Sequence, residues 1–285
     1  MADTAGTWQL GDLTVNRMGF GAMRLTAGDR DQSIAVLRRA VELGVNHIDT
    51  AAFYFSPLLS ANELIRSALA PYPEGLVITT KVWPGRDPAG DWWWAEPAQL
   101  RGQVEENLRQ LGRDHLDVVN LRVPPSQSDA SAASAFGAHF GALAALRDEG
   151  LIRHLGVSNI TSAHLAEAQA IAPVVCVQNR YGIDASAADD DFLDECGKQG
   201  VAFVPFFAIA GDRAASGGAA AETAEVAAIA RAHDATPAQI RLAWTLHRGP
   251  HVLAIPGTGN PDHLAANIAA AALRLSPDDM AALKS

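Results

Sequence analysis

The chain of 285 residues contains no apolar stretch as long as the roughly 18 residues that a membrane-spanning helix requires. Its first residues, MADTAGTWQLGDL, also lack the basic segment followed by an apolar run that marks a secretory signal peptide. These two absences predict a protein of the cytoplasm with no role at a membrane.

Cysteine and positive charge are scarce as well. The two cysteines, Cys176 and Cys196, have no metal-like spacing, so we expect buried apolar thiols, with neither a disulfide nor a bound metal. The formal net charge of −10 opposes binding to nucleic acid, whose phosphates attract basic surfaces. It does not exclude a phosphorylated small molecule, because a local pocket can be positive in an acidic protein.

Short apolar runs alternate with longer amphipathic stretches from Met18 onwards. Eight runs are rich in Val, Ile and Leu, as strands buried on both faces are: MGFGAM (18–23), VNHIDT (45–50), LVITTK (76–81), LDVVNLR (116–122), IRHLGVSN (152–159), VVCVQN (174–179), VAFVPFF (201–207) and VLAIPG (252–257). Helical spacing of apolar residues predicts helices at 31–43, 60–70, 97–111, 137–149, 161–170, 187–199, 221–234, 237–247 and 261–272.

This regular alternation predicts the α/β class and a closed (β/α)8 barrel, the TIM barrel, as a single domain over residues 1–285. Alternating segments at Thr7–Leu10 and Leu13–Asn16 predict an N-terminal β-hairpin. An open, doubly wound sheet is the structural alternative. The Gly- and Ala-rich piece Gly211–Ala221 is expected to be a mobile loop.

Run after run ends in a polar residue, at the end where such barrels carry their chemistry. Asp49, Lys81 and Arg122 end the second, third and fourth runs, and the fifth and sixth end in Ser158-Asn159 and Gln178-Asn179. Taken singly, each has an ordinary explanation, as a turn cap, a rim cation or a helix cap. Together they predict one site ringed by strand ends.

Tyr54 follows Asp49 in the second loop and completes a chemically coherent group. An ammonium group near a phenol favours loss of the phenolic proton, and a buried carboxylate keeps the lysine charged and in place. The combination of Asp49, Tyr54 and Lys81 therefore predicts a general acid that protonates an alkoxide.

The same segments resemble the aldo-keto reductase family over almost the whole chain. GVNHIDTAAFY (44–54) is similar to its GxxxxDTAxxY segment, VITTK (77–81) to its lysine strand and LGVSN (155–159) to its Ser-Asn strand. VCVQNRY (175–181) and IPGTGNPDHLAAN (255–267) resemble its glutamine strand and its cofactor segment. NRMGFGAM, LDVVNLRV and VPFF are most similar to the bacterial pyridoxal reductase branch.

The resemblance implies reduction of a small carbonyl compound, with hydride from a nicotinamide cofactor and the proton from Tyr54. It assigns Asp49 and Lys81 to catalysis, Ser158, Asn159 and Gln178 to the nicotinamide carboxamide, and Phe203 to stacking on the nicotinamide ring. It further assigns a loop and a helix start to the adenosine phosphate, a placement that suits an anion independently: Gly257, Thr258, His263 and Asn267.

Two departures from the family pattern matter. Arg122 stands where the family has a histidine, so this residue can polarise the carbonyl or contact an anionic group but cannot relay a proton. His263 stands where an arginine commonly holds the 2′-phosphate, and Ala266 where a glutamate is usual. The resemblance therefore implies NADPH, with NADH as the alternative.

The loop after Lys81 is rich in tryptophan, with Trp83 and then Trp92, Trp93 and Trp94. Such rings can stack on a flat substrate, so an aromatic aldehyde is expected. The resemblance to the pyridoxal reductase branch implies that this aldehyde is pyridoxal, which would be reduced to pyridoxine. Two other classes remain open: a Schiff-base lyase that uses Lys81 as nucleophile, and a nucleotide-binding regulatory protein of weak activity. We expect a monomer or a weak homo-oligomer.

Overall fold

The computed structural model describes residues 1–125, 133–209 and 223–284. Its strands are β1 (Thr7–Leu10), β2 (Leu13–Asn16), β3 (Phe20–Gly21), β4 (His47–Asp49), β5 (Val77–Val82), β6 (Pro84–Arg86), β7 (Trp92–Trp94), β8 (Leu116–Arg122), β9 (Ile152–Ser158), β10 (Val174–Gln178) and β11 (Ala202–Phe203). Its helices are α1 (Arg30–Glu42), α2 (Ala61–Leu69), α3 (Leu100–Leu111), α4 (Ala133–Asp148), α5 (Ser162–Ile171), α6 (Ala187–Lys198), α7 (Ala224–Ala232), α8 (Pro237–His247), α9 (Pro261–Ala269) and α10 (Pro277–Ala282).

Seven strands form one parallel sheet in the order β3-β4-β5-β8-β9-β10-β11. The predicted eighth strand closes the sheet through single parallel bridges, from Val252 to Phe203 on one side and from Ala254 to Met18 on the other. Helices separate successive strands along the chain, so the predicted (β/α)8 barrel is confirmed. The open-sheet alternative is wrong.

The eighth strand, predicted over 252–257, is less regular than expected. Beyond its bridges, two glycines bring its backbone very close to the backbone at the end of β3. A Cβ atom on Gly257 would lie 2.4 Å from the carbonyl oxygen of Gly21, and one on Gly21 would lie 2.7 Å from that of Ile255. Real Cβ atoms do not approach carbonyl oxygens this closely. Gly21 and Gly257 therefore permit the seam at which the barrel closes.

Most predicted helices lie within a few residues of the observed ones, and differences fall at the ends. Helix α4 begins at Ala133 rather than at 137, and α7 covers Ala224–Ala232 rather than 221–234. Helix α9 ends at Ala269 and continues as a tighter 3₁₀ turn over Ala270–Ala272. The predicted mobile loop Gly211–Ala221 lies outside the described residues.

The N-terminal hairpin of β1 and β2 is confirmed and pairs Thr7 with Asn16 through Leu10 with Leu13. Leu10 and Val15 from this hairpin pack against inward-facing residues near the amino ends of the barrel strands, among them Val77 and Val118. Because the hairpin fills that end with apolar side chains, the polar residues at the carboxyl ends of the strands are left to form a cleft.

A second hairpin was not predicted from the sequence. Strands β6 and β7 pair antiparallel in the loop after Lys81, with Gly85 opposite Trp93. The ring of Trp93 lies so close over Gly85 that a Cβ atom there would be 2.3 Å from it, so glycine permits this packing. All three tryptophans of β7 remain partly exposed to solvent.

Within the described residues, none of the helices combines the length and apolar character needed to cross a membrane. The same part of the chain contains no group of three or more His, Cys, Asp or Glu side chains that could hold a metal ion. Both cysteines are free and buried, as predicted. Burial raises the pKa of each thiol to about 12, so neither is a reactive thiolate near neutral pH.

Candidate active site

Asp49 and Lys81 form a buried ion pair at the carboxyl ends of neighbouring strands. Strand β4 pairs with β5 in the register Asp49 opposite Thr79, which places Lys81 one inward position further along. The Lys81 Nζ lies 2.6 Å from Asp49 Oδ1, and the two side chains are 1% and 5% exposed. The same ammonium donates to the carbonyl oxygen of Thr50 at 2.9 Å. A buried charge pair persists only when such additional hydrogen bonds satisfy it.

Tyr54 lies over this pair. A turn in which the Tyr54 N–H donates to the carbonyl of Ala51 brings the tyrosine back toward the strand ends. The Lys81 Nζ lies 4.9 Å from the centroid of the Tyr54 ring, and the ring of Phe53 packs edge-on against Tyr54 at 5.1 Å. The sequence-predicted Asp49, Tyr54 and Lys81 are therefore adjacent in space.

Gln178 reaches the same ion pair from the far side of the barrel. Its side-chain amide donates to Asp49 Oδ2 at 2.7 Å, while Asp49 Oδ1 accepts from Lys81. Both oxygens of the carboxylate are thus engaged, which offsets part of its desolvation. The interaction was not foreseen from the sequence, which associated Gln178 only with a cofactor amide.

Arg122 and Ser158 stand side by side at the ends of β8 and β9. The Arg122 Nη1 donates to the hydroxyl oxygen of Ser158 at 3.2 Å, and its guanidinium carbon lies 4.9 Å from the centroid of the Phe206 ring. The arginine side chain therefore extends along the mouth of the barrel. There it presents a half-buried positive charge beside the ring of polar strand ends.

Asn159 adopts a left-handed backbone conformation with φ of 59°, which asparagine tolerates better than most residues. Its side-chain amide donates to the carbonyl of Val123 at 2.9 Å, and its backbone N–H donates to the carbonyl of Gln178. Asn159 thus ties the loops that follow β8, β9 and β10 together beside Ser158.

Phe203 is placed away from this site, contrary to the sequence-level assignment. Its side chain is 1% exposed and packs between the strands and the outer helices, against Tyr181 and Phe192. Side chains alternate along a strand, and Ala202 and Val204 are the ones that face the barrel interior.

Phe206 is two residues after Val204, so the same alternation brings its ring to the inner side of the barrel, over Arg122. The alternation of inward and outward positions along VAFVPFF (201–207) is the signal in the sequence that indicates Phe206. The family resemblance, which compares positions in a motif, points to Phe203 instead.

The residues assigned to the adenosine phosphate lie where the eighth strand leads into α9 and in α9 itself. Asn260 caps this helix by accepting from the backbone N–H groups of Asp262 and His263, and the Thr258 hydroxyl accepts from the Asn260 N–H. Thr258 and Asn267 are largely buried, whereas His263 is exposed. Because Asn260 already accepts from the N–H groups of Asp262 and His263, the start of α9 attracts an anion through its helix dipole.

A cavity of about 530 Å³ borders Lys81 and is lined by Phe53, Phe55, Arg86 and Trp93 together with one face of α3. The ring of Trp92 packs against Phe53 at 5.6 Å, and the Arg86 guanidinium lies 5.0 Å from the ring centroid of Phe55. The tryptophan hairpin thus contacts the loop that carries Tyr54 through an edge-on pair of rings and a cation–π contact.

His47 lies one inward position below Asp49 and is fully buried. The pKa of His47 is lowered to about 4, chiefly by burial, with the Asp49 charge opposing the shift and the Lys81 charge contributing to it. The imidazole is therefore neutral near pH 7, and its Nε2 lies 3.3 Å from the Thr79 hydroxyl. A neutral ring leaves the charge balance of the site to Asp49, Lys81 and Arg122.

A barrel with a carboxylate, a lysine and a tyrosine at the carboxyl ends of its strands has the architecture of an enzyme that moves protons at a bound substrate. The chain belongs to the aldo/keto reductase family, whose model matches residues 17–285. Membership makes it an oxidoreductase, and it confirms the resemblance inferred from the motifs.

Individual relatives match over nearly the full length. Pyridoxine 4-dehydrogenase of Escherichia coli (strain K12) is 42% identical over 288 residues, covering 98% of each chain. An uncharacterised oxidoreductase of Schizosaccharomyces pombe is 38% identical, covering 99% of this chain and 90% of the relative. The crystal structure of an aldo-keto reductase from Klebsiella pneumoniae in complex with NADPH superposes with a TM-score of 0.78 at 27% identity, covering 95% of this chain and 90% of that one.

Proposed function

We propose that this chain reduces a small aromatic aldehyde or ketone to the alcohol with NADPH, and that pyridoxal is its substrate. The observation that carries the proposal is the Lys81 ammonium, held by Asp49 and Thr50 at 4.9 Å from the Tyr54 ring. Similarity to pyridoxine 4-dehydrogenase supports the substrate, and similarity to the NADPH-bound Klebsiella pneumoniae enzyme supports the cofactor.

The residues of this chain fit a dinucleotide with an adenosine phosphate. In this proposal the adenosine phosphate lies beside Gly257 and Thr258, at the start of α9, where the helix dipole favours an anion. At the other end, Ser158, Asn159 and Gln178 place hydroxyl and amide groups at two neighbouring strand ends, and Gln178 contacts the ion pair through Asp49. When bound, NADPH supplies a hydride to the carbonyl carbon.

Tyr54 donates the proton that completes the reaction at the carbonyl oxygen. Hydride addition turns the carbonyl oxygen into an alkoxide, which takes the phenolic proton and becomes the alcohol, leaving a phenolate on Tyr54. The Lys81 ammonium stabilises that phenolate, because the ion pair with Asp49 keeps its charge beside the ring. Solvent returns the proton to Tyr54 before the next turnover.

Arg122 acts on the same oxygen in this proposal. Its guanidinium is oriented by the Ser158 hydroxyl and the Phe206 ring, so its N–H groups can donate to the oxygen as negative charge develops. A guanidinium stays protonated, so this group polarises and orients the carbonyl and takes no part in proton transfer.

The proposal is tested by steady-state consumption of NADPH with pyridoxal and a panel of aryl and alkyl aldehydes, run in parallel with NADH. We expect turnover with pyridoxal and a preference for NADPH. If simple aryl aldehydes are reduced and pyridoxal is not, carbonyl reduction stands as the activity and pyridoxal is excluded as the substrate. Tyr54→Phe should abolish reduction and leave cofactor binding intact; a fully active variant would contradict the assigned acid.

Two measurements distinguish the reductase from the two alternatives, a Schiff-base lyase and a regulatory nucleotide-binding protein. A Schiff-base lyase needs a lysine that can lose its charge, whereas Lys81 donates to a buried carboxylate and a carbonyl. Borohydride trapping of an adduct on Lys81 would favour the lyase. Cofactor binding without turnover across the whole panel would favour a regulatory nucleotide binder.

A further inference from the structure

A buried group of polar side chains lies behind Lys81, between the barrel wall and helices α2 and α3. Its members are Thr50, Thr80, Asn62 and Asn107, and each is 0% exposed to solvent. Four polar side chains without solvent contact are costly unless their hydrogen bonds are satisfied. Their partners show what the group holds in place.

Thr50 connects this group to the candidate active site. Its peptide carbonyl accepts from the Lys81 ammonium at 2.9 Å inside the barrel, and its side-chain hydroxyl donates to Asn62 Oδ1 at 2.8 Å. Asn62 lies in the first turn of α2, where Ser60 is the N-cap. One residue thus joins the lysine to the outer helix layer.

Asn62 extends the connection to the other side of the lysine. Its side-chain amide donates to Asn107 Oδ1 at 2.9 Å and to Gln110 Oε1 at 3.0 Å, both on α3. Asn107 Oδ1 also accepts from the hydroxyl of Thr80 at 2.6 Å. Because Thr50 follows Asp49 and Thr80 precedes Lys81, Asn62 is linked to a chain neighbour of each member of the ion pair.

An asparagine is the side chain that these partners require. Position 62 needs one acceptor for the Thr50 hydroxyl and two donors for the amide oxygens of Asn107 and Gln110. Aspartate has no donor, and leucine of similar size has neither donor nor acceptor. The orientation of the Asn107 amide agrees, because its own Nδ2 donates to the carbonyl of Gln103.

We propose that Asn62 is a positioning residue: through Thr50 it sets where the Lys81 ammonium lies beneath Tyr54. The inference rests on the proposed function and deepens it. The segment from Thr50 to Tyr54 is short and contains the turn from Ala51 to Tyr54, so a shift of the Thr50 carbonyl displaces lysine and tyrosine relative to each other. Displacements of about 1 Å in a catalytic group can lower a rate about 100-fold.

The test compares paired variants on the full-length protein. Asn62→Leu removes all three hydrogen bonds at similar side-chain size. Thr50→Val keeps the branched shape and loses the hydroxyl, whereas Thr50→Ser keeps the hydroxyl and loses a methyl group. Asn46→Ala is the control for loss of stability, because Asn46 also makes two hydrogen bonds, to Asn16 and Thr14, at the opposite end of the barrel.

For each variant, kcat, KM, the pH profile of kcat, NADPH affinity and the thermal unfolding temperature are measured. We expect Asn62→Leu and Thr50→Val to lower kcat about 10- to 100-fold with little change in NADPH affinity. The alkaline limb of the pH profile should move to higher pH, because a displaced ammonium stabilises the phenolate less. Thr50→Ser should retain more activity than Thr50→Val, and Asn46→Ala should keep the wild-type pH profile.

Packing alone would give a different result, with Thr50→Val more active than Thr50→Ser and every pH profile unchanged. That outcome overturns the inference and leaves the proposed function standing. If Asn62→Leu fails to fold, the comparison of Thr50→Val with Thr50→Ser tests the inference alone. If the wild-type protein reduces none of the aldehydes, the proposed function fails and the inference fails with it.

Discussion

Replacing Lys81 with methionine should both destabilise the protein and abolish its activity, and the two effects can be separated. Methionine resembles the lysine stem in length but carries no charge. Asp49 would then remain 5% exposed, with the Gln178 amide as its remaining side-chain partner among the described residues. Removal of one partner of a buried pair costs about 3 to 5 kcal/mol, because the other charge is left uncompensated. The unfolding temperature should fall by roughly 5 to 8 °C.

A second substitution should restore the lost stability without restoring the lost activity. In Asp49→Leu with Lys81→Met, neither charge remains, and apolar replacement of a buried pair is often neutral or stabilising. The double variant should therefore recover most of the lost stability and stay inactive, because no ammonium lies beside Tyr54. Thermal and urea unfolding of wild type, both single variants and the double variant complete the cycle, with NADPH consumption as the activity assay.

Two results would refute this reasoning. If Lys81→Met unfolds at the wild-type temperature, Asp49 does not remain as an uncompensated buried charge. If the double variant recovers activity together with stability, the lysine has no chemical part beyond holding the fold. Asp49→Asn with Lys81 retained is the matched control, since it removes the anion while keeping shape and hydrogen-bonding groups.

Three further predictions concern other parts of the site. Arg122→Gln should lower kcat/KM for aldehydes by about 10² to 10³-fold without moving the pH profile of kcat, and a profile that loses one limb would instead show proton transfer by this residue. Phe206→Ala should raise KM for aromatic aldehydes, whereas Phe203→Leu should lower the unfolding temperature at unchanged KM; the reverse pattern would restore Phe203 to the site. Because burial lowers the pKa of His47 to about 4, the unfolded state binds more protons between that pH and about 6.5, so stability should fall as the pH drops through this window. His47→Gln should flatten that fall in urea unfolding, and an unchanged pH dependence would contradict the assignment.

Much of the fold could be predicted from the order of apolar runs. Strands such as LDVVNLR are buried on both faces, and their matching residues, Leu116 to Arg122, form β8 without change of bounds. The run at 252–257 was harder, because its pairing uses single bridges and a glycine seam that periodicity does not reveal. The tryptophan hairpin after Lys81 depends on ring packing over Gly85 and had no strand-like alternation to indicate it.

The residue types at the strand ends follow from the order of residues in the chain, and so does the prediction that Asp49, Tyr54 and Lys81 meet. Parallel strands present their carboxyl ends on one rim, so order along the chain is enough to predict a shared cleft. The direction and the partners of each side chain, by contrast, depend on how the strands and helices pack. It places Gln178 on Asp49, Phe206 rather than Phe203 over Arg122, and Asn62 behind the lysine. These contacts join residues far apart in the chain, and their geometry depends on strand register and helix packing, which local patterns do not encode.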